Sequence, residues 1–169
     1  DDKLYREFAV LASRNTNNSV DIAVDVPELM KGAVRVPGGA KDYPTARLAY
    51  LKIPEAKAES EGSGEKSSFT PTDVPLGDVS IDELFYGAKS LGSWRWIAEK
   101  RDEGVVFREL RAAVEGSRLE GRLSWLREPI TQQQTTILTG ELSGERFEKI
   151  YSHFQGPAPM TAAQYRFKT

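Results

Sequence analysis

Apolar and polar residues alternate with a period of two along most of the chain, the pattern of strands whose successive side chains point to opposite faces of a sheet. In "VDIAVDV", Val20, Ile22, Val24 and Val26 alternate with acidic or small residues, and Pro27 ends the run. "LYREFAVLAS" is ambiguous, because Leu4, Phe8 and Leu11 also fit helical spacing. "GAVRVPGG" reads as a short strand closed by the Pro37-Gly38-Gly39 turn cluster. "ARLAYLKIP" follows, with Leu48, Tyr50 and Lys52 on one face and Ala49, Leu51 and Ile53 on the other. Residues 55–73, rich in Glu, Ser, Gly and Lys, predict a long solvated loop.

Beyond that loop the alternation becomes regular. "LGDVSIDELFYG", "LGSWRWIAEKRDEG", "VVFRELRAAVEGS", "RLEGRLSWLRE" and "QQQTTILTGELSG" are strand-length runs bounded by glycine or charged turns. Such spacing predicts an antiparallel meander. In "SGERFEKIYSHFQG" the period changes: Phe147, Ile150, Tyr151 and Phe154 fall at i, i+3, i+4 and i+7. This predicts one short amphipathic helix near 144–155, capped by Ser143 and stopped by Gly156. "MTAAQYRFKT" returns to strand. The expected fold is mainly β, with strands over 1–54, the polar loop at 55–73, and a further unit over 74–169.

Composition narrows the function. The chain has 169 residues and a formal charge of −2, with 23 basic and 25 acidic residues scattered along it. Nucleic-acid binders concentrate basic charge on one face, so nucleic acid is not an expected partner. Cysteine is absent and His153 is the single histidine, which rules out disulfides, thiolate metal sites and multi-histidine sites. "GSGEKSS" imitates a phosphate loop, but Glu65 separates Gly64 from Lys66, and no strand and helix frame it. The carboxylate pairs Asp82-Glu83 and Asp102-Glu103 adjoin alternating runs or charged turns and read as solvated. "NNS" at 17–19 is a short match to a glycosylation acceptor. No enzyme chemistry, cofactor or metal is expected from these residues.

The aromatic residues carry more information. "SLGSWRWIAE" (90–99) and "SRLEGRLSWLRE" (117–128) resemble each other, each combining Ser, Leu, Gly and tryptophan in an alternating run. Trp94 and Trp96 fall on one face of a strand; Leu119, Leu123 and Trp125 fall on one face of another. One short helix is too small to cover the apolar face of five or more strands. The uncovered apolar surface calls for a ligand, a partner or a membrane.

From about Arg47 to Thr169 the chain resembles the AsmA-like, YhdP-type periplasmic proteins, related to TamB, of Gram-negative bacteria. The resemblance rests on "ARLAYLKIP" before an acidic linker, "TDVPLGDVSIDELFYGAKSLGSWRW", "GVVFRELRAAVEGSRLEGRLSW", and "TGELSGERFEKIYSHFQGP" leading into a new strand. Residues 1–46 match less clearly and read as the end of a preceding unit. The resemblance implies a curved antiparallel sheet open along one side, a trough of the β-taco type. It further implies a fragment of the repeat region of an inner-membrane-anchored periplasmic protein that carries phospholipid toward the outer membrane, with phospholipid and adjoining repeats as partners. No nucleophile, metal or base is needed for such transfer. Alternation then places Val79, Ile81, Trp94, Trp96, Val105, Phe107, Leu119, Leu123, Trp125 and Ile137 on the groove wall. The alternatives are a structural module that docks through its sheet edge, and a carbohydrate-binding sheet that uses its tryptophans.

Overall fold

Each alternating run becomes a strand, and the strands share one sheet. The structure, a computed structural model, describes residues 8–39, 42–54, 76–128, 130, 131, 133–146, 148, 149 and 164–169. Its strands are β1 (Ala9–Arg14), β2 (Val20–Val26), β3 (Met30–Val36), β4 (Thr45–Ile53), β5 (Gly77–Tyr86), β6 (Lys89–Ser90), β7 (Ser93–Arg101), β8 (Gly104–Val114), β9 (Ser117–Arg127), β10 (Gln134–Gly144) and β11 (Tyr165–Lys168). They form an 11-stranded open sheet in the order β1-β2-β3-β4-β5-β7-β8-β9-β10-β11, with β6 paired to the end of β5.

Local chemistry sets the turns. Glu115 (φ 49°) and Gly116 (φ 75°) make the two-residue β8–β9 turn. Two left-handed residues twist a hairpin in the sense its strands require. At the β1–β2 turn, Asn17 Oδ1 accepts hydrogen bonds from the Ser19 amide (3.1 Å) and hydroxyl (2.8 Å). The "NNS" match therefore has a turn-building role here.

Three expectations change. The sheet is not a pure meander, because β4 and β5 run parallel, with Leu48 beside Ile81 and Ile53 beside Tyr86. Parallel neighbours need a connection long enough to return to the starting end of the sheet, and residues 54–76 supply that length. The ambiguous first run resolves as strand over Ala9–Arg14. Ser143, expected as a helix cap, is a strand residue paired with Arg166. Of the rest of the expected helix, Glu148 and Lys149 are helical and the other positions lie largely outside the described residues. Residues 55–73, "GSGEKSS" and His153 also lie outside them.

A bulge in β8 sets which residues share a face. Phe107 pairs with Leu123 and Leu110 with Gly121, so β8 carries one residue more than β9 between these pairs. Glu109, within the bulge, has φ 49°. The extra residue shifts the alternation by one position. Val105 and Phe107 before it, and Leu110, Ala112 and Val114 after it, consequently stand on the same side. Their exposures are low: Val105 1%, Leu110 5%, Ala112 6% and Val114 7%.

Candidate functional site: an apolar sheet face

Register turns separate strands into one surface. Opposed residues in a sheet point to the same side. On that basis Val10 leads to Val24, Gly32, Leu48 and Ile81. The same row continues through Trp94, Ala112, Leu119, Leu142 and Phe167. It crosses every strand on the main path of the sheet without meeting a polar side chain. A flanking row adds Ile22, Val34, Ala46, Val79 and Trp96, and the next row on the same side adds Phe107, Leu123 and Leu138.

Trp94 and Trp125 present hydrocarbon to this face because their N–H groups are engaged. Trp94 Nε1 donates to the Leu91 carbonyl at 2.7 Å, and Trp125 Nε1 to Gln134 Oε1 at 3.2 Å. Trp96 packs edge-on against Phe107, with ring centroids 6.4 Å apart. Such an offset geometry suits the ring quadrupoles. Those N–H groups are thus occupied within the chain, unlike the free donors a sugar site would use.

A cavity of about 330 Å³ opens on the face between β7 and β11. Trp94, Ala112, Leu119, Leu138, Leu142 and Phe167 line it, and Gly140 exposes backbone there; among the described residues no ionisable side chain takes part. Gly140 is opposed by Gly121. A Cβ on Gly140 would sit 2.3 Å from the Glu120 carbonyl oxygen, and one on Gly121 2.4 Å from that of Thr139. The facing glycines therefore let the two backbones approach closely and leave a shallow slot between leucine rows.

Nine of the ten residues expected on the wall stand on this face. Ile137 does not. It pairs with Ser124, on the opposite side from the Leu123–Leu138 pair, and is 50% exposed. Ile137 and Leu138 are adjacent, so alternation alone offers either, and pairing decides for Leu138. Leu48, Leu110, Ala112, Val114, Leu142 and Phe167 were not foreseen. The spacing in "VVFRELRAAV", two residues and then three, carries the bulge; Gly140 blurs the parity of β10 because it has no side chain to count.

The other face is charged and laced with ion pairs. Lys31 meets Asp25 at 2.7 Å, Arg35 meets Asp21 at 2.6 Å, and Arg47 meets Asp78 at 2.8 Å. Glu99 receives Arg108, and Glu141 receives Arg166 at 2.8 Å and Lys168 at 3.4 Å. Asp21 is pulled down to about 2, chiefly by its hydrogen bond from Arg35 and then by Asn15. The Arg47 hydrogen bonds hold Asp78 below the ordinary carboxylate range.

The carboxylate pairs do not form an acid–base site. Asp82 and Glu83, adjacent in β5, point to opposite faces. Glu83 accepts a hydrogen bond from Ser90. Asp102 and Glu103 are exposed in the β7–β8 turn. Among the described residues no cluster of His, Cys, Asp or Glu could hold a metal ion, and no helix is long and apolar enough to cross a membrane. Comparison of the chain with protein-family models, with curated proteins and with solved structures found no match.

Proposed function

We propose that this chain is a lipid-carrying segment of an AsmA-like, YhdP-type envelope protein. In this reading phospholipid tails lie on the apolar face while head groups remain in water. The parent protein is anchored in the inner membrane, spans the periplasm, and passes phospholipid toward the outer membrane without enzymatic chemistry. The observation that carries the proposal is the unbroken apolar row from Val10 to Phe167.

Magnitude favours a track over a single pocket. Nine strand-to-strand steps of about 4.8 Å make the row about 43 Å long. One leaflet of a bilayer core is about 15 Å thick, half of ~30 Å, so the row exceeds the reach of one extended tail. Apolar area of this kind is favourable to a tail leaving water at about 25 cal/mol per Å².

The test is mass spectrometry of phospholipid recovered with the purified chain. Leu119→Glu and Leu142→Glu, each placing a charge in the row, are expected to abolish recovery while circular dichroism stays β-type. Ile137→Glu, on the charged face, is expected to leave recovery unchanged. Absence of lipid from the wild-type chain, or equal loss in all three variants, would rule the proposal out.

A second reading, a module that docks through its edges, draws on β1 and β11. Each ends the sheet, and Val10 and Phe167 on them are 52% and 45% exposed. An unpaired strand edge is a template for another strand. Dimerisation that rises with concentration, in samples free of lipid, would favour it.

A further inference from the structure

The charged face holds a feature that lipid tails do not use. Arg95 and Arg111 are directly opposed on β7 and β8. Arg118 lies opposite Ala113, one diagonal step from Arg111. Like charges directly opposed in a sheet are destabilising, with Cβ atoms about 4.5–5.5 Å apart and diagonal neighbours about 7–8 Å apart.

The neighbouring carboxylates do not relieve this crowding. Asp78 already takes Arg47 at 2.8 Å and reaches Arg95 only at 3.6 Å. Glu120 is opposite Arg111 in the register, yet no ion pair joins them. Among the described residues Arg111 and Arg118 have no ion-pair partner. The three arginines border a concavity of about 370 Å³ that also includes Ser80, Ser93, Asp82 and Glu120.

We propose that this concavity binds a phosphate ester through Arg95, Arg111 and Arg118. The guanidinium fork matches phosphate oxygens, and a bound dianion would turn a repulsive trio into charge-assisted hydrogen bonds. The Ser80 and Ser93 hydroxyls supply further donors. Asp82 and Glu120 limit the excess positive charge to one, which suits a single small ester and disfavours a polyanion such as nucleic acid. The site is on the opposite side of the sheet from the apolar row and stands independently of the lipid reading.

The experiment is calorimetric titration of the full chain with glycerol 3-phosphate, beside flotation with phosphatidylcholine vesicles made with and without phosphatidic acid. Arg111→Gln and Arg118→Gln are each expected to weaken glycerol 3-phosphate binding about tenfold, the size of one charged hydrogen bond. Glu120→Gln is expected to tighten it, a gain that partial unfolding could not produce. Arginine-dependent flotation with phosphatidic acid would identify a lipid-borne phosphate as a ligand; binding of the soluble ester alone would identify a free one. No binding of the soluble ester, whether or not vesicles float, overturns the proposal, as does binding that ignores all three substitutions.

Discussion

The Asp21 carboxylate shows how a single residue records the charged face. It accepts from Arg35 Nε at 2.6 Å, Arg35 Nη2 at 3.0 Å and Asn15 Nδ2 at 2.9 Å. All three stabilise the ionised form, and its pKa falls from 3.8 to about 2. A carboxylate lowered on folding contributes stability above its unfolded pKa and loses it as pH falls through the folded one. The contribution of Asp21 is therefore whole above 3.8 and lost toward about 2. Carbon-detected NMR titration should give a midpoint near 2 for Asp21, and Arg35→Gln should move it up toward 3.8; a midpoint already at 3.8 in the unmodified chain would contradict the bidentate pairing. At this scale sequence was informative wherever a polar neighbour marked the face. Val79, Ile81, Trp94 and Trp96 were legible because Ser80, Asp82 and Arg95 alternate with them. Ile137 was not, since its neighbour Leu138 is also apolar and Gly140 has no side chain, which leaves the parity of β10 open until Leu119 and Leu123 are seen opposite.

Among the elements, β8 depends most on one inserted position. Without the residue added at Arg108–Glu109, Leu110, Ala112 and Val114 would turn to the charged face and Arg111 would turn to the apolar one. Deleting Glu109 is expected to abolish the cooperative urea transition of the chain, because burial of a large apolar side chain is worth about 1.5–3 kcal/mol. Glu109→Gly should leave the midpoint unchanged or raise it, since glycine adopts the left-handed conformation freely. A deletion variant as stable as the original would show that the bulge does not set the face. The bulge was legible in the spacing of its apolar residues, whereas the parallel β4–β5 joint was not. Alternation reports which side a residue faces and is silent about strand direction. Only the length available between Ile53 and Gly77 permits a return.

Over the whole molecule, burial is concentrated toward the middle of the sheet. Ile81, Ala98 and Val105 are 2%, 0% and 1% exposed, while Val10 and Phe167 at its two ends remain open. Protection against hydrogen exchange follows local burial and pairing. Amides of β7, β8 and β9 should exchange slowest and those of β1 and β11 fastest. Equal protection at the ends would mean that copies of the chain pair edge to edge. The resemblance to envelope proteins read in the sequence concerns this scale too, and its proposed consequence is carried by the row and not by any motif.

That row also has a periodicity of its own. It runs along the hydrogen-bonding direction, so an elongated apolar guest lying on it meets a new strand about every 4.8 Å. Sliding by one strand exchanges a contact for a similar contact instead of breaking many at once. Between the tall ring of Trp94 and the bare backbone of Gly32, the relief is uneven but never polar. Such a surface resists the departure of a guest into water far more than its movement along the sheet.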